Sequence, residues 1–288
     1  MDVSVIIPCF NGASTLDRQL DALSRQSTDA TFEVIVSDNR STDGSAEVAR
    51  RRNSGDFTVR VVDSSELAGI NHARNAGIRA SNASLMLFCD VDDEVDSGWI
   101  NEYWSEYRAG ARLVGGSVRR VFADGTTALD LEKGLNNDLR FLPWPTGANC
   151  GMAREVVDTC GLFNESFRGG GDEAEFFWRA QLAGYELTFV PQASVAYVQR
   201  REPRSLFRQQ HMYGRSHAKL YSMFKKDGMR PVRRFESFRG LFSGAVRIVL
   251  SALIGPRRGN HLRQHGIRQV GQMSGRIAGS IQYRVWYI

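Results

Sequence analysis

The chain has 288 residues, 42% of them hydrophobic, and 37 Lys and Arg against 32 Asp and Glu give a net charge of +5. That is apolar material for one large domain or two small ones around a sizeable core. The four cysteines (Cys9, Cys89, Cys150, Cys160) show no C-x-x-C spacing and sit in or near apolar runs, which excludes a zinc site and a disulfide framework and points to a reduced, cytosolic interior.

The opening MDVSVIIPCF has neither the basic start nor the long apolar stretch of a secretory leader. VSVIIP (3–8) reads as a β-branched strand. STLDRQLDALSRQ (14–26) follows with Leu16, Leu20 and Leu23 at helical spacing and Ser14 as its N-cap. FEVIVSD (32–38) is a second strand, TDGSAEVARRR (42–52) a second helix, and TVRVVD (58–63) a third strand. HARNAGIRAS (72–81) reads as a helix and SLMLFCD (84–90) as a fourth strand. All-apolar strands alternating with helices argue for a parallel sheet covered on both faces. Ligands of such sheets bind beyond the carboxyl ends of the strands, where Pro8, Asp38 and Asp90 all fall. Further on, LVGGSVRRVF (113–122) and YELTFVP (185–191) read as strands and GDEAEFFWRAQLAG (171–184) as a helix.

From residue 200 the pattern turns helical and basic, with RREPR (200–204) as the composition boundary. Residues 1–199 carry 18 Lys and Arg against 29 Asp and Glu, a balance of −11. Residues 200–288 carry 19 against 3, a balance of +16. Such a split describes an acidic globular body with a basic tail that meets an anionic partner or packs on the body. GLFSGAVRIVLSALIG (240–255) is apolar but too short to span a membrane, and suits a core or an interfacial helix.

In SLMLFCDVDDEV (84–95) an apolar run meets Asp90, Asp92, Asp93 and Glu94. In a strand-end turn Asp90 and Asp92 can face the same side. Two carboxylates there suit a hard divalent cation, Mg²⁺ or Mn²⁺, which would in turn bridge a diphosphate. The competing reading is a solvated acidic loop, since Asp is common in turns.

Five stretches, taken in order, resemble the inverting glycosyltransferases of family 2. They are VSVIIPCFNG, FEVIVSDNRSTDGS, HARNAGIRAS, LFCDVDD and PTGANCGMAREVVDTCGLFNESFRGGGDEAEFFWRAQLAGY. The resemblance runs from Val3 to about Gln199. It implies the GT-A nucleotide-diphospho-sugar-binding fold, a Rossmann-like α/β mixed sheet flanked by helices, over residues 1–199, with a basic helical extension over 200–288. By the same resemblance Pro8 and Phe10 would border the nucleotide base, and Asp38 would accept the base's imide N–H. That fits uracil, thymine or guanine better than adenine. Asp90 would lie by the ribose and sugar, Asp92 would ligate the metal, and Arg74 would reach sugar or phosphate. The family's Gly-Glu-Asp-x-Asp/Glu pattern stands here as Gly171-Asp172-Glu173-Ala174-Glu175, with the two acids swapped in type. Register makes Glu173 the base that deprotonates the acceptor, with Asp172 as the alternative. The family's His after the last strand is replaced by Gln199 and Arg200, leaving the metal to Asp92, the diphosphate and water. Trp178 is either a sugar platform or core. Thr146 to Asn149 would line the pocket.

The function so implied is metal-dependent transfer, with inversion, of a sugar from a UDP, dTDP or GDP donor to a hydroxyl of a glycan or lipid-linked acceptor. The setting would be cell-envelope polysaccharide synthesis, with the chain cytoplasmic and peripheral on the inner membrane face. Two rivals stand beside it. A sugar-phosphate nucleotidyltransferase would carry a basic Gly-rich loop after the first strand, where this chain has no Lys or Arg before Arg18. A catalytically degenerate sugar-nucleotide-binding protein would fit the swapped acids. A nucleic-acid partner is not expected, because the tail shows no recognisable binding module.

Overall fold

VSVIIPC forms β1 (Val3–Cys9), buried along its whole length, as an all-apolar strand at the centre of a sheet must be. In the computed structural model, which describes residues 1–52, 57–121, 134–198, 202–254 and 256–288, the next strands are β2 (Phe32–Asp38), β3 (Thr58–Asp63), β4 (Leu85–Cys89) and β5 (Glu94–Val95). β6 (Leu113–Val121), β7 (Asn149–Ala153) and β8 (Leu187–Val198) complete one eight-stranded sheet of order β3-β2-β1-β4-β7-β6-β8-β5.

β3, β2, β1 and β4 run parallel, in registers such as Val5 opposite Val34 and Leu87. β7 runs antiparallel between β4 and β6, β8 pairs parallel with β6, and the two-residue β5 pairs antiparallel with β8. The parallel half, β6 and β8 are expected from sequence, although β8 runs on to Val198. β7 (NCGMA) has too few β-branched residues to announce itself, and β5 is two residues of an acidic turn.

Helices α1 (Ala13–Ser24), α2 (Ser45–Arg51), α3 (Ile70–Ala80), α4 (Trp99–Arg108), α5 (Arg154–Cys160) and α6 (Asp172–Leu182) accompany the sheet. Leu16, Leu20 and Leu23 of α1 are buried as their spacing predicts. Ser14 is not the cap: α1 starts one residue earlier, and the Ala13 N–H donates to Asp43 Oδ2 at 2.9 Å from the following loop. Because β1 has β2 on one side and β4 on the other, the chain reverses its winding direction between β1 and β4. The crevice in which ligands of such sheets bind belongs at that reversal, beyond the carboxyl ends of the strands.

The chain divides into two compact units. The first comprises Met1–Asn136, Pro143–Ser166 and Asp172–Gln199, and the second Asn137–Leu142, Phe167–Gly171 and Arg200–Ile288. Of the boundary drawn from composition, residues 200 and 201 lie outside the described residues, as does Gln199, while Glu202 to Arg204 open the second unit's first helix. In the second unit α7 (Pro203–Phe224), α8 (Glu236–Leu253) and α9 (Pro256–Gln282) pack with α9 against both others. Glu202 caps α7 by accepting the backbone N–H groups of Arg204 and Ser205. Glycines make the packing close: a Cβ on Gly271 or Gly279 of α9 would lie 2.8 Å from the carbonyl oxygen of Phe207 or Arg215 on α7.

Candidate active site

The turn after β1 is tied to the turn after β2 by polar side chains in both. Asn11 takes a positive φ of 51°, which Asn tolerates, and its Oδ1 accepts the Thr42 N–H at 2.8 Å. Its own N–H donates to Ser41 Oγ at 3.0 Å, and Gly12 N–H donates to Ser45 Oγ at 2.9 Å. A Cβ on Gly12 would stand 2.5 Å from Val91 Cγ2, so the glycine makes room for the middle residue of Asp90-Val91-Asp92. Pro8 is buried in β1, and Phe10, just past its end, is 63% exposed. Asp38 is half-buried at the end of β2, and its Oδ1 accepts the Ser41 N–H at 3.2 Å.

Helix α1 holds the acidic loop by its backbone. Arg18 donates to the Asp92 carbonyl at 2.7 Å, and buried Gln19 accepts the Val95 N–H at 3.1 Å. The loop's carboxylates then gather: one oxygen each from Asp90, Asp92 and Asp93 lie within 4.8 Å of one another. Asp93 is 1% exposed. Its Oδ1 accepts the Val198 N–H at 3.0 Å, while its Oδ2 is buried without a hydrogen-bond partner. Burial, and then the charges of Asp90 and Asp92, push the Asp93 pKa well up. Three oxygen donors with an orphaned buried carboxylate oxygen fit a hard divalent cation. Spacing offered Asp90 and Asp92 for the cation, and the family resemblance named Asp92 as the ligand. Asp93 stood in the same motif, and only its burial singles it out.

Helix α3 brings a cation to these acids. Arg74 is 3% exposed. Its guanidinium pairs with Asp172 Oδ2, lies 4.0 Å from Asp90 Oδ1, and sits 5.4 Å over the Phe163 ring. Three features of His-Ala-Arg-Asn-Ala-Gly place it. Asn75 Nδ2 donates to the Phe163 carbonyl at 2.9 Å and to Glu165 Oε1 at 2.8 Å. His72 Nδ1 meets Glu165 Oε2 at 3.1 Å. A Cβ on Gly77 would lie 2.8 Å from Ser37 Oγ and strike Ile6, so the missing side chain lets α3 seat on β1 and β2. A second glycine beside α3, Gly147, leaves space for the guanidinium, since a Cβ there would stand 2.6 Å from Arg74 Nη2.

The two acids at the start of α6 differ in situation. Asp172 is 2% exposed and engaged by Arg74. Glu173 is half-buried, and burial followed by the Asp172 charge pushes its pKa up to about 8, against the opposing pull of Arg74. Glu175 is a strut: it pairs with Arg179 at 3.0 Å, and Arg179 donates to the Leu162 carbonyl at 2.9 Å.

Two other expectations resolve into packing. Trp178 is fully buried edge-on to Trp144 at 5.4 Å, a core residue rather than a sugar platform. Asn149 does not face a pocket. It is fully buried, accepts from Trp99 Nε1 and the Tyr103 hydroxyl, and donates to the carbonyls of Ser117 and Ala193, all at 2.7 Å.

The sequence model described as Glycosyl transferase family 2 matches residues 4–158. The chain is 31% identical over 195 residues to the glycosyltransferase AglE of Haloferax volcanii, covering 65% of this chain and 64% of that one. It therefore spans less than two thirds of that relative's length. The mannosyltransferase PcManGT from Pyrobaculum calidifontis, solved in complex with GDP-Man and Mn²⁺, superposes with a TM-score of 0.65 at 20% identity over 98% of this chain and 86% of that one. TarS of S. aureus in complex with UDP-GlcNAc superposes with a TM-score of 0.58 at 15% identity over 100% of this chain and 93% of that one. At such identities the two structures speak for a shared fold.

Proposed function

This chain belongs to glycosyltransferase family 2 and carries the GT-A fold, and we propose that it transfers a sugar, with inversion, from a nucleoside-diphosphate donor to an acceptor hydroxyl. The observation that carries the reading is the ion-pair bridge of buried Arg74 between Asp172, beside Glu173, and Asp90 of the acidic loop. It links a candidate base to a candidate metal and phosphate site in one crevice.

Glu173 is the base. A carboxyl whose proton affinity lies near the working pH is suited to accept a proton from a hydroxyl. Asp172, already engaged by Arg74, positions the start of α6. As the acceptor O–H gives its proton to Glu173, its oxygen bonds to the anomeric carbon. The bond from that carbon to the diphosphate oxygen breaks, and the electron pair leaves on the nucleoside diphosphate. One displacement inverts the anomeric centre. Asp92, with Asp93 and Asp90 beside it, would hold Mg²⁺ or Mn²⁺, which when bound would supply positive charge for the departing diphosphate. Asp38 accepts the imide N–H of uracil, thymine or guanine, and Pro8 and Phe10 border the base. The solved relatives' complexes with GDP-Man and UDP-GlcNAc agree with that choice of bases. The acceptor we assign is a glycan or lipid-linked hydroxyl on the cytoplasmic face of the membrane, where the chain is peripheral.

The test is release of nucleoside diphosphate from UDP-, GDP- and dTDP-sugars with Mn²⁺ and a pool of lipid-linked and glycan acceptors. One donor class should turn over, and Glu173→Gln should lower its rate by about 10²–10⁴ with donor binding retained. Undiminished turnover by Glu173→Gln would remove it as base, and an equal loss confined to Asp172→Asn would move the role there.

A further inference from the structure

Helix α8 is packed inside out. The residues it buries are small: Ser237, Gly240, Gly244 and Ser251. A Cβ on Gly240 would stand 2.7 Å from Met273 Cγ of α9, and one on Gly266 of α9 would stand 2.7 Å from the Gly244 carbonyl oxygen. On the opposite side Phe238, Phe242, Val249 and Leu253 are 47%, 75%, 65% and 77% exposed. At 100° per residue these four fall within one narrow sector, about half a turn away from the buried glycines. A helix surrounded by water turns its large apolar side chains inward. Small residues at the helix–helix contact with large apolar ones outward is the arrangement of helices whose surroundings are apolar.

Charge says what those surroundings are. Arg230, Arg233 and Arg234, just before α8, and Arg239 in its first turn are all exposed. Residues 200–288 as a whole carry 19 Lys and Arg against 3 Asp and Glu. A second copy docking through this face about a twofold axis would set like charge against like. Anionic lipid headgroups would meet opposite charge, with acyl chains beneath for the apolar ridge.

We propose that α8 lies along the surface of an anionic phospholipid bilayer. Phe242, Val249 and Leu253 enter the acyl boundary, and Arg233, Arg234 and Arg239 engage headgroup phosphates. Among the described residues no helix is long and apolar enough to cross a membrane, and the proposal needs only the in-plane geometry. It rests on the reading of a membrane-peripheral chain but not on sugar transfer, so nucleotide binding measured on the same preparations separates the two.

The full chain is floated through a density gradient with vesicles of phosphatidylcholine alone or with about one third phosphatidylglycerol. Wild type floats with the anionic vesicles. A Phe242→Ser, Val249→Ser, Leu253→Ser variant loses at least about tenfold in partitioning with an unchanged melting temperature, because those side chains are exposed in the fold. An independent variant, Arg233→Gln with Arg234→Gln, weakens flotation and its dependence on salt. Wild type remaining at the bottom of the anionic gradient, or the triple variant floating like wild type, would overturn the proposal. A wild-type dimer that the triple variant dissociates without lipid would assign the face to a second copy instead.

Discussion

Arg74 carries a full charge to a place where 3% of its surface meets solvent, and the Asp172 and Asp90 carboxylates beside it offset the loss of hydration. Removing it leaves Asp172 buried and unpaired. Arg74→Met should therefore cost about 3–5 kcal/mol of unfolding free energy, read from urea titration, far more than the loss of an exposed pair. Glu173 gives a signature of opposite sign to an ordinary carboxylate. Its folded pKa of about 8 lies above the unfolded value, so folding favours the protonated form. The stability this brings is complete below the unfolded pKa and is lost as pH rises through about 8. Glu173→Gln removes that loss, so its melting temperature should gain on wild type as pH is raised. Turnover should instead rise with pH to a plateau above about 8, since the base acts ionised. The motifs made most of these residues legible as chemistry. Register put Glu173 ahead of Asp172, but their different surroundings, Asp172 buried against Arg74 and Glu173 half-buried, were not legible, because spacing does not encode burial.

At the scale of elements, polar and glycine positions decide how secondary structure seats, and periodicity does not reveal them. The helical spacing of Leu16, Leu20 and Leu23 forecast α1 well, because one apolar stripe does all its packing. The start of α1 was misplaced, because Asp43 of the next loop satisfies the helix end that Ser14 was expected to serve. In the antiparallel half β7 was least legible: it is held through Asn149, whose four side-chain hydrogen bonds run to residues distant in sequence. Gly77 is the sharpest point for a test. A Cβ there meets Ile6 and Ser37, both buried in the central strands. Gly77→Ala should lower stability by about 1–3 kcal/mol by chemical denaturation and carry Arg74 out of line, so turnover should fall further than stability alone explains.

For the whole molecule, the opposed charges of the two stretches are the feature that sequence alone makes plain: −11 over residues 1–199 and +16 over 200–288. The structure adds how the basic unit is assembled, with glycines between helices and large apolar groups outside. The acidic unit contains the crevice and the three gathered carboxylates. The central claim is that this crevice takes a nucleoside diphosphate through a divalent cation at Asp92. Calorimetric titration of wild type and Asp92→Ala with UDP, GDP, dTDP and ADP, each with and without Mn²⁺, tests it most directly. The account predicts that one of the first three binds wild type, that binding requires the metal, and that Asp92→Ala abolishes it while ADP stays silent. Binding that is as tight without metal or in Asp92→Ala, or no binding by any of the four, would contradict it.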